Sequence, residues 1–198
     1  SYSLSEDGLD YSFYLRNDVY FHDNLCFEKG KGRKVIAKDF VYSFERLFDS
    51  KVSSAISLLE VIDRSEKSNY KGFIAINDTL LKIYLKKPFS SFLSILTMKF
   101  FSVIPREAIE MYAQDFRKNP VGTGAFTFKA WDEGTKLILL KNQNYFERDS
   151  IQNRLDNAKG FNFKKPGLSL SSNPNYNPGG LTVGFDLDAI INMFRFKR

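Results

Sequence analysis

Leu9-Asp10-Tyr11-Ser12-Phe13-Tyr14-Leu15-Arg16 is the stretch that decides the fold class. Leu9, Tyr11, Phe13 and Leu15 recur at every second position, with Asp10, Ser12 and Tyr14 between them. Strand side chains alternate between the two faces of a sheet, so this pattern predicts a half-buried β-strand. Ser5-Glu6-Asp7-Gly8, just ahead of it, is turn chemistry. Outward from the strand the period changes. Within residues 37–48, Phe40, Val41, Phe44, Leu47 and Phe48 follow one another at three- and four-residue steps, the spacing of one helix face. Lys38, Asp39, Ser43 and Glu45 fall largely outside that stripe. Residues 80–85 return to alternation, with Leu81, Ile83 and Leu85 opposed to Lys82 and Tyr84, and residues 73–76 form a second strand candidate before them. Asn77-Asp78-Thr79 joins the two as a hairpin connection. The helix is expected to pack on strands 9–16 and 80–85, with Phe44 buried at its centre. Helices and strands mix without strict alternation, which gives an α+β class within a larger α/β-type architecture.

The remaining elements are shorter. Residues 19–22 read as a second short strand, residues 28–34 as a charged loop with Gly30 and Gly32, and residues 53–61 as a weaker helix. After Pro88, residues 89–96 read as an apolar helix and residues 100–104 as a buried strand. Pro105 has its φ pre-set for a first helical turn, ahead of a helix over 106–112. Val121-Gly122-Thr123-Gly124 reads as a loop whose glycines permit unusual φ and close approach. Residues 126–131 and 136–141 form a hairpin around Asp132-Glu133-Gly134. Composition shifts after about residue 149: residues 169–180 are almost wholly Ser, Asn, Pro and Gly, a linker composition, and residues 181–198 regain apolar character. Three segments are therefore expected, at 1–148, 149–180 and 181–198, the second extended or poorly ordered.

Of 198 residues, 43% are hydrophobic and 26% charged, a globular balance. No apolar stretch reaches the ~18–20 residues of a membrane span. The net charge of +6 is unevenly placed, since residues 1–150 hold 22 basic and 20 acidic side chains. Interspersed charge of this kind speaks against a nucleic-acid surface, which clusters its basic residues on one face. The chain opens on Ser1 without a basic-then-apolar leader and reads as a trimmed piece of something longer.

Chemistry-bearing residues are sparse. One Cys and one His cannot supply three or four ligands to a structural metal. His22, at the end of a short apolar run, reads as a hydrogen-bonded structural histidine before it reads as a ligand or catalyst. Cys26 reads as a plain thiol, because no activating partner lies near it in sequence. Glu45-Arg46 is a helix-surface pair or a buried bridge. Gly122-Thr123-Gly124 lacks the lysine and the strand-to-helix context of a phosphate loop, and a tight crossover accounts for it. No acid/base or nucleophile constellation emerges, so an enzyme is not expected.

Three groups of residues, in their order and spacing, resemble the extracellular solute-binding protein family 5, the oligopeptide-, dipeptide- and nickel-binding receptors of ABC importers. The first is residues 5–16 followed by Val19-Tyr20-Phe21-His22-Asp23. The second is Ala37-Lys38-Asp39-Phe40-Val41-Tyr42-Ser43-Phe44-Glu45-Arg46-Leu47. The third is Lys86-Lys87-Pro88-Phe89, Val103-Ile104-Pro105-Arg106-Glu107-Ala108 and Asn119-Pro120-Val121-Gly122-Thr123-Gly124-Ala125-Phe126. Asn24 stands where the family carries Gly, and Ala125 where it carries Pro. The resemblance covers residues 1–148 and implies part of one lobe of a type II periplasmic-binding-protein architecture, without the second lobe. It implies a monomeric receptor in the periplasm or on the outer face of the cell membrane. Such a receptor takes a peptide or other small solute, hands it to an ABC permease complex, and needs no cofactor. It also places Met98, Lys99, Phe100 and Phe101 near the cleft edge, where a cation and aromatics meet a ligand carboxylate and side chains; core packing is the other reading of that run. A structural or interaction module, or a nonfunctional recombined fragment of such a receptor, is the alternative for the chain as a whole.

Overall fold

The computed structural model describes residues 1–49, 59–65 and 72–147. Four strands, β1 (Tyr2–Leu4), β2 (Asp10–Tyr14), β3 (Phe73–Asn77) and β4 (Leu80–Tyr84), form one antiparallel sheet in the order β1-β2-β4-β3. The alternation in β2 sets the register. Tyr11 lies opposite Ile83 and Phe13 opposite Leu81, and all four are buried. β3 follows with Phe73 opposite Ile83 and a bulge between Ala75 and Asn77. The turn before β2 depends on Gly8, whose φ is 72°. A Cβ there would be strained and would press on Pro88 Cβ at 3.2 Å.

Helix α1 (Ala37–Glu45) runs on as a 3₁₀ turn over Arg46–Phe48. It lies over β3 and β4, so β3 takes the place expected for β2 as its main support. Phe44 is fully buried, with its ring 5.2 Å from that of Phe73 and 6.0 Å from that of Phe40. Two polar residues placed outside the apolar stripe, Asp39 and Ser43, are buried as well. Asp39 Oδ2 accepts the Ile36 N–H at 2.9 Å, and Ser43 Oγ donates to Asp39 O at 2.7 Å. Satisfied hydrogen bonds offset their desolvation, which sequence periodicity does not register.

Helix α2 (Phe92–Leu96) is shorter than residues 89–96, and α3 (Arg106–Tyr112) begins after Pro105 as expected. Two strand expectations fail. Residues 19–22 make a single bridge, Tyr20 to Lys34, because the chain meets the 28–34 loop over only a few bonds. Residues 100–104 are no strand: Lys99–Phe101 is a 3₁₀ turn, and the Ile104 N–H goes to the Ser43 hydroxyl at 3.0 Å. A second, two-stranded sheet pairs β5 (Phe126–Asp132) with β6 (Lys136–Lys141), as the hairpin reading required. Among the described residues the left-handed glycines are Gly8, Gly30, Gly72 and Gly134, so Gly122 and Gly124 do not use their freedom of φ. The helix expected over 53–61 and the segments expected over 149–180 and 181–198 lie almost wholly outside the described residues.

No helix among the described residues is long and apolar enough to cross a membrane.

Candidate functional site

The run Met98-Lys99-Phe100-Phe101 divides between surface and core. Phe101 is 1% exposed, its ring edge-on to Phe44 at 5.4 Å. It belongs to the core and offers no face to a ligand. Met98 and Phe100 are each 40% exposed, and Lys99, also exposed, carries its Nζ 5.7 Å from the centre of the Phe100 ring. The turn fixes this division. Phe101 N–H donates to Met98 O at 3.0 Å and Ser102 Oγ to Lys99 O at 2.8 Å, so Phe101 points inward while its neighbours point out. The turn thus presents an ammonium, an aromatic ring and a thioether together on the surface.

The segment behind that surface is fastened to α1 by groups that sequence reading did not single out. Ser43 Oγ accepts the Ile104 N–H. Three residues further on, Glu107 meets Arg33, which also holds Asp39. Arg33 donates to Asp39 from Nη1 at 2.9 Å and Nη2 at 2.7 Å, and to Glu107 from Nε at 2.5 Å and Nη2 at 2.9 Å. The guanidinium also lies 5.3 Å from the Phe21 ring centre and 5.9 Å from that of Phe27. The two carboxylates raise the Arg33 pKa further above its ordinary value. In return, the Arg33 hydrogen bond holds the Glu107 carboxyl below the usual carboxylate range. Arg33 sits in a charged loop and Glu107 lies 74 residues away, so no local pattern joins them.

His22 is hydrogen-bonded, as a structural histidine would be. Its ring nitrogen Nε2 lies 2.8 Å from Gly124 O, and burial pushes its pKa down. Cys26 is a free, partly buried thiol whose pKa burial pushes up, the reverse of an activated nucleophile. Glu45 pairs with Arg64 at 2.8 Å, and Arg46 lies over the Tyr42 ring at 5.7 Å, so the two do not bridge each other. Among the described residues no group of three or more His, Cys, Asp and Glu is placed to hold a metal ion. A small cleft is lined by Leu15, Arg16, Val19, Val35 and Phe40.

The sequence profile of the bacterial extracellular solute-binding proteins, family 5, matches residues 1–166. The chain belongs to this family. The family 5 match runs past residue 148, where the resemblance was expected to end. A probable di/tripeptide-binding protein of Pseudomonas aeruginosa is 31% identical over 162 residues, covering 73% of this chain and 29% of the relative. The glutathione-binding protein GsiB of Escherichia coli is 30% identical over 149 residues, covering 74% and 26% respectively. Among solved structures, the DppA periplasmic binding protein of Helicobacter pylori in complex with the peptide STSA superposes with a TM-score of 0.61 at 33% identity, over 74% of this chain and 30% of that one. A periplasmic oligopeptide-binding protein of Borrelia burgdorferi gives a TM-score of 0.64 at 28% identity, over 75% and 30%. The fold is thus part of the type II periplasmic-binding-protein architecture. The chain spans less than a third of the length of these relatives.

Proposed function

We propose that this chain is part of a receptor that captures peptides outside the cytoplasm for an ABC importer, without catalysing a reaction. The observation that carries the reading is the match to family 5 over residues 1–166, supported by relatives whose names specify di- and tripeptides and by the peptide complex of the Helicobacter protein. In this reading the chain contributes one wall of the binding site, and a second lobe closes on the ligand from the other side. Backbone groups take up the main chain of the peptide while roomy pockets accept varied side chains. Met98, Lys99 and Phe100 form part of the ligand-facing surface, with the Lys99 ammonium pairing a peptide carboxylate. Phe101 holds that turn in place from within the core. The receptor acts as a monomer in the periplasm or on the outer face of the cell membrane and delivers its ligand to a membrane permease.

The test is uptake. A hybrid receptor is built in which residues 1–147 replace the matching residues of a di/tripeptide-binding relative, and it is expressed in a strain lacking its own receptor. Restored uptake of a labelled tripeptide supports the reading. A folded, exported hybrid that restores none contradicts it.

A further inference from the structure

The β5–β6 hairpin is apolar on both faces and buried on neither. Residues paired across the two strands share a face, which puts Phe126, Trp131, Leu137 and Leu139 on one side and Ile138 and Leu140 on the other. No residue of either strand is buried, and Phe126, Leu139 and Leu140 are 56%, 42% and 47% exposed. Strands that read apolar on both faces belong inside a larger sheet with cover on each side. Among the described residues β5 and β6 pair only with each other, and a two-stranded ribbon is marginal by itself.

The two outer edges of the ribbon differ. β5 carries an extra residue between Phe128 and Ala130, a bulge that breaks its ladder, while β6 runs regularly from Lys136 to Lys141. At the base of the hairpin the Asn142 N–H donates to Ala125 O at 2.8 Å. Backbone groups alternate in direction along a strand. Those of Leu140 and Ile138 therefore turn toward β5, and those of Leu137, Leu139 and Lys141 turn outward, where the described sheets place no strand.

The chain itself carries a matching segment. Residues 181–188 place Leu181, Val183, Phe185 and Leu187 alternately with Thr182, Gly184, Asp186 and Asp188, the same two-residue period as β2. This segment lies outside the described residues and beyond the family match, which ends at residue 166. Its only charges are Asp186 and Asp188, whereas β6 ends on two exposed lysines, Lys136 and Lys141. β6 is about 20 Å long. Residues 148–180, which connect Glu147 to the segment, can bridge up to roughly 100 Å. A tethered strand meets its edge at an effective concentration on the order of millimolar, which a second copy in dilute solution does not reach.

We propose that residues 181–187 of this same chain are the third strand of the hairpin sheet, paired to the outer edge of β6. Leu181, Val183, Phe185 and Leu187 extend one of its apolar faces, and the acidic end of the strand lies at a lysine end of β6. The chain in this way closes an edge that would otherwise template pairing with other chains.

The experiment reads amide exchange by NMR in the full chain and in the double variant Gly184→Pro, Phe185→Pro. Adjacent prolines remove a donor from both sides of the tail strand, so one of them faces β6 in either orientation, and residues 1–147 are untouched. The Leu137, Leu139 and Lys141 amides are expected to exchange at least about tenfold more slowly in the wild type than in the variant. The Asn142 amide and the Leu85 amide, which is bonded to Leu9 O in the four-stranded body, are expected to stay equally protected in both. Fast exchange of the three outward amides in the wild type overturns the proposal. So does protection that persists in the variant; if sedimentation then shows a dimer, the occupant is a second copy. Should the variant fail to fold, nuclear Overhauser contacts in the wild type decide: cross-strand contacts between residues 181–187 and 137–141 in the monomer support the proposal, and their absence overturns it.

Discussion

The Phe44 and Phe101 rings meet edge to face, 5.4 Å apart at 79°. Phe44 stands on the buried face of α1, and Phe101 ends the turn that exposes Met98, Lys99 and Phe100. The packing of the core and the placement of the candidate ligand surface therefore share this contact.

Phe44→Ala is expected to cost about 3–5 kcal/mol, the range for a large aromatic removed from a close-packed core. Phe44 touches Phe40, Phe73 and Phe101, so the cavity cannot collapse onto a single neighbour. Denaturant unfolding measures this. A loss under about 1 kcal/mol would show that the stripe is not the centre of the core.

Ser43→Ala removes the acceptor of the partly buried Ile104 N–H. An orphaned buried donor costs about 1–3 kcal/mol, and the partial exposure puts the expected loss near the lower end. Exchange at the Ile104 amide should accelerate in proportion. Protection unchanged from wild type would show that the hydroxyl does not hold the segment.

Arg33→Met leaves Asp39, 4% exposed, without its counter-charge. Breaking a buried pair from one side costs about 3–5 kcal/mol, and the partial exposure of Arg33 puts the expected loss near the lower end. Unfolding curves at neutral pH check it, and a variant as stable as wild type would refute the structural role of the knot.

Acid should act on the same knot. The Glu107 pKa is depressed by Arg33, so its contribution is present above the unfolded value of about 4.3 and is lost as pH falls through the lower folded value. Glu107→Gln should therefore flatten the fall of stability on the acid side of that range while lowering stability at pH 7. A stability–pH curve parallel to wild type would contradict this.

Much of the fold was legible because its signals are local. The alternation at Tyr11 and Phe13, the helical steps from Phe40 to Phe44 to Leu47, and the turn residues at 77–79 each announce an element within a few positions. What was not legible depends on distant partners. Asp39 and Ser43 look like surface residues until Arg33 and Ile104 are placed beside them. The adjacent Phe100 and Phe101 are indistinguishable in sequence, yet a 3₁₀ turn sends one out and the other in, where a strand pattern was expected. His22 has the hydrogen bond a structural histidine needs, but its partner Gly124 lies 102 residues away.

Lys99→Ala, made in the hybrid receptor, should weaken tripeptide binding by about 1–2 kcal/mol if its ammonium pairs with a ligand carboxylate. An unchanged affinity would remove Met98, Lys99 and Phe100 from the ligand surface without touching the assignment to a peptide receptor.

The most direct measurement is calorimetric titration of di- to pentapeptides into two proteins, this chain alone and the hybrid receptor that carries its residues 1–147. One wall retains part of the contacts but meets the whole association cost, about 4–15 kcal/mol, so the isolated chain should show no binding at about 100 μM peptide. The hybrid should bind at micromolar affinity or tighter, roughly 8 kcal/mol. A folded hybrid that binds no peptide, or tight binding by the isolated chain, would contradict the account of a shared peptide site.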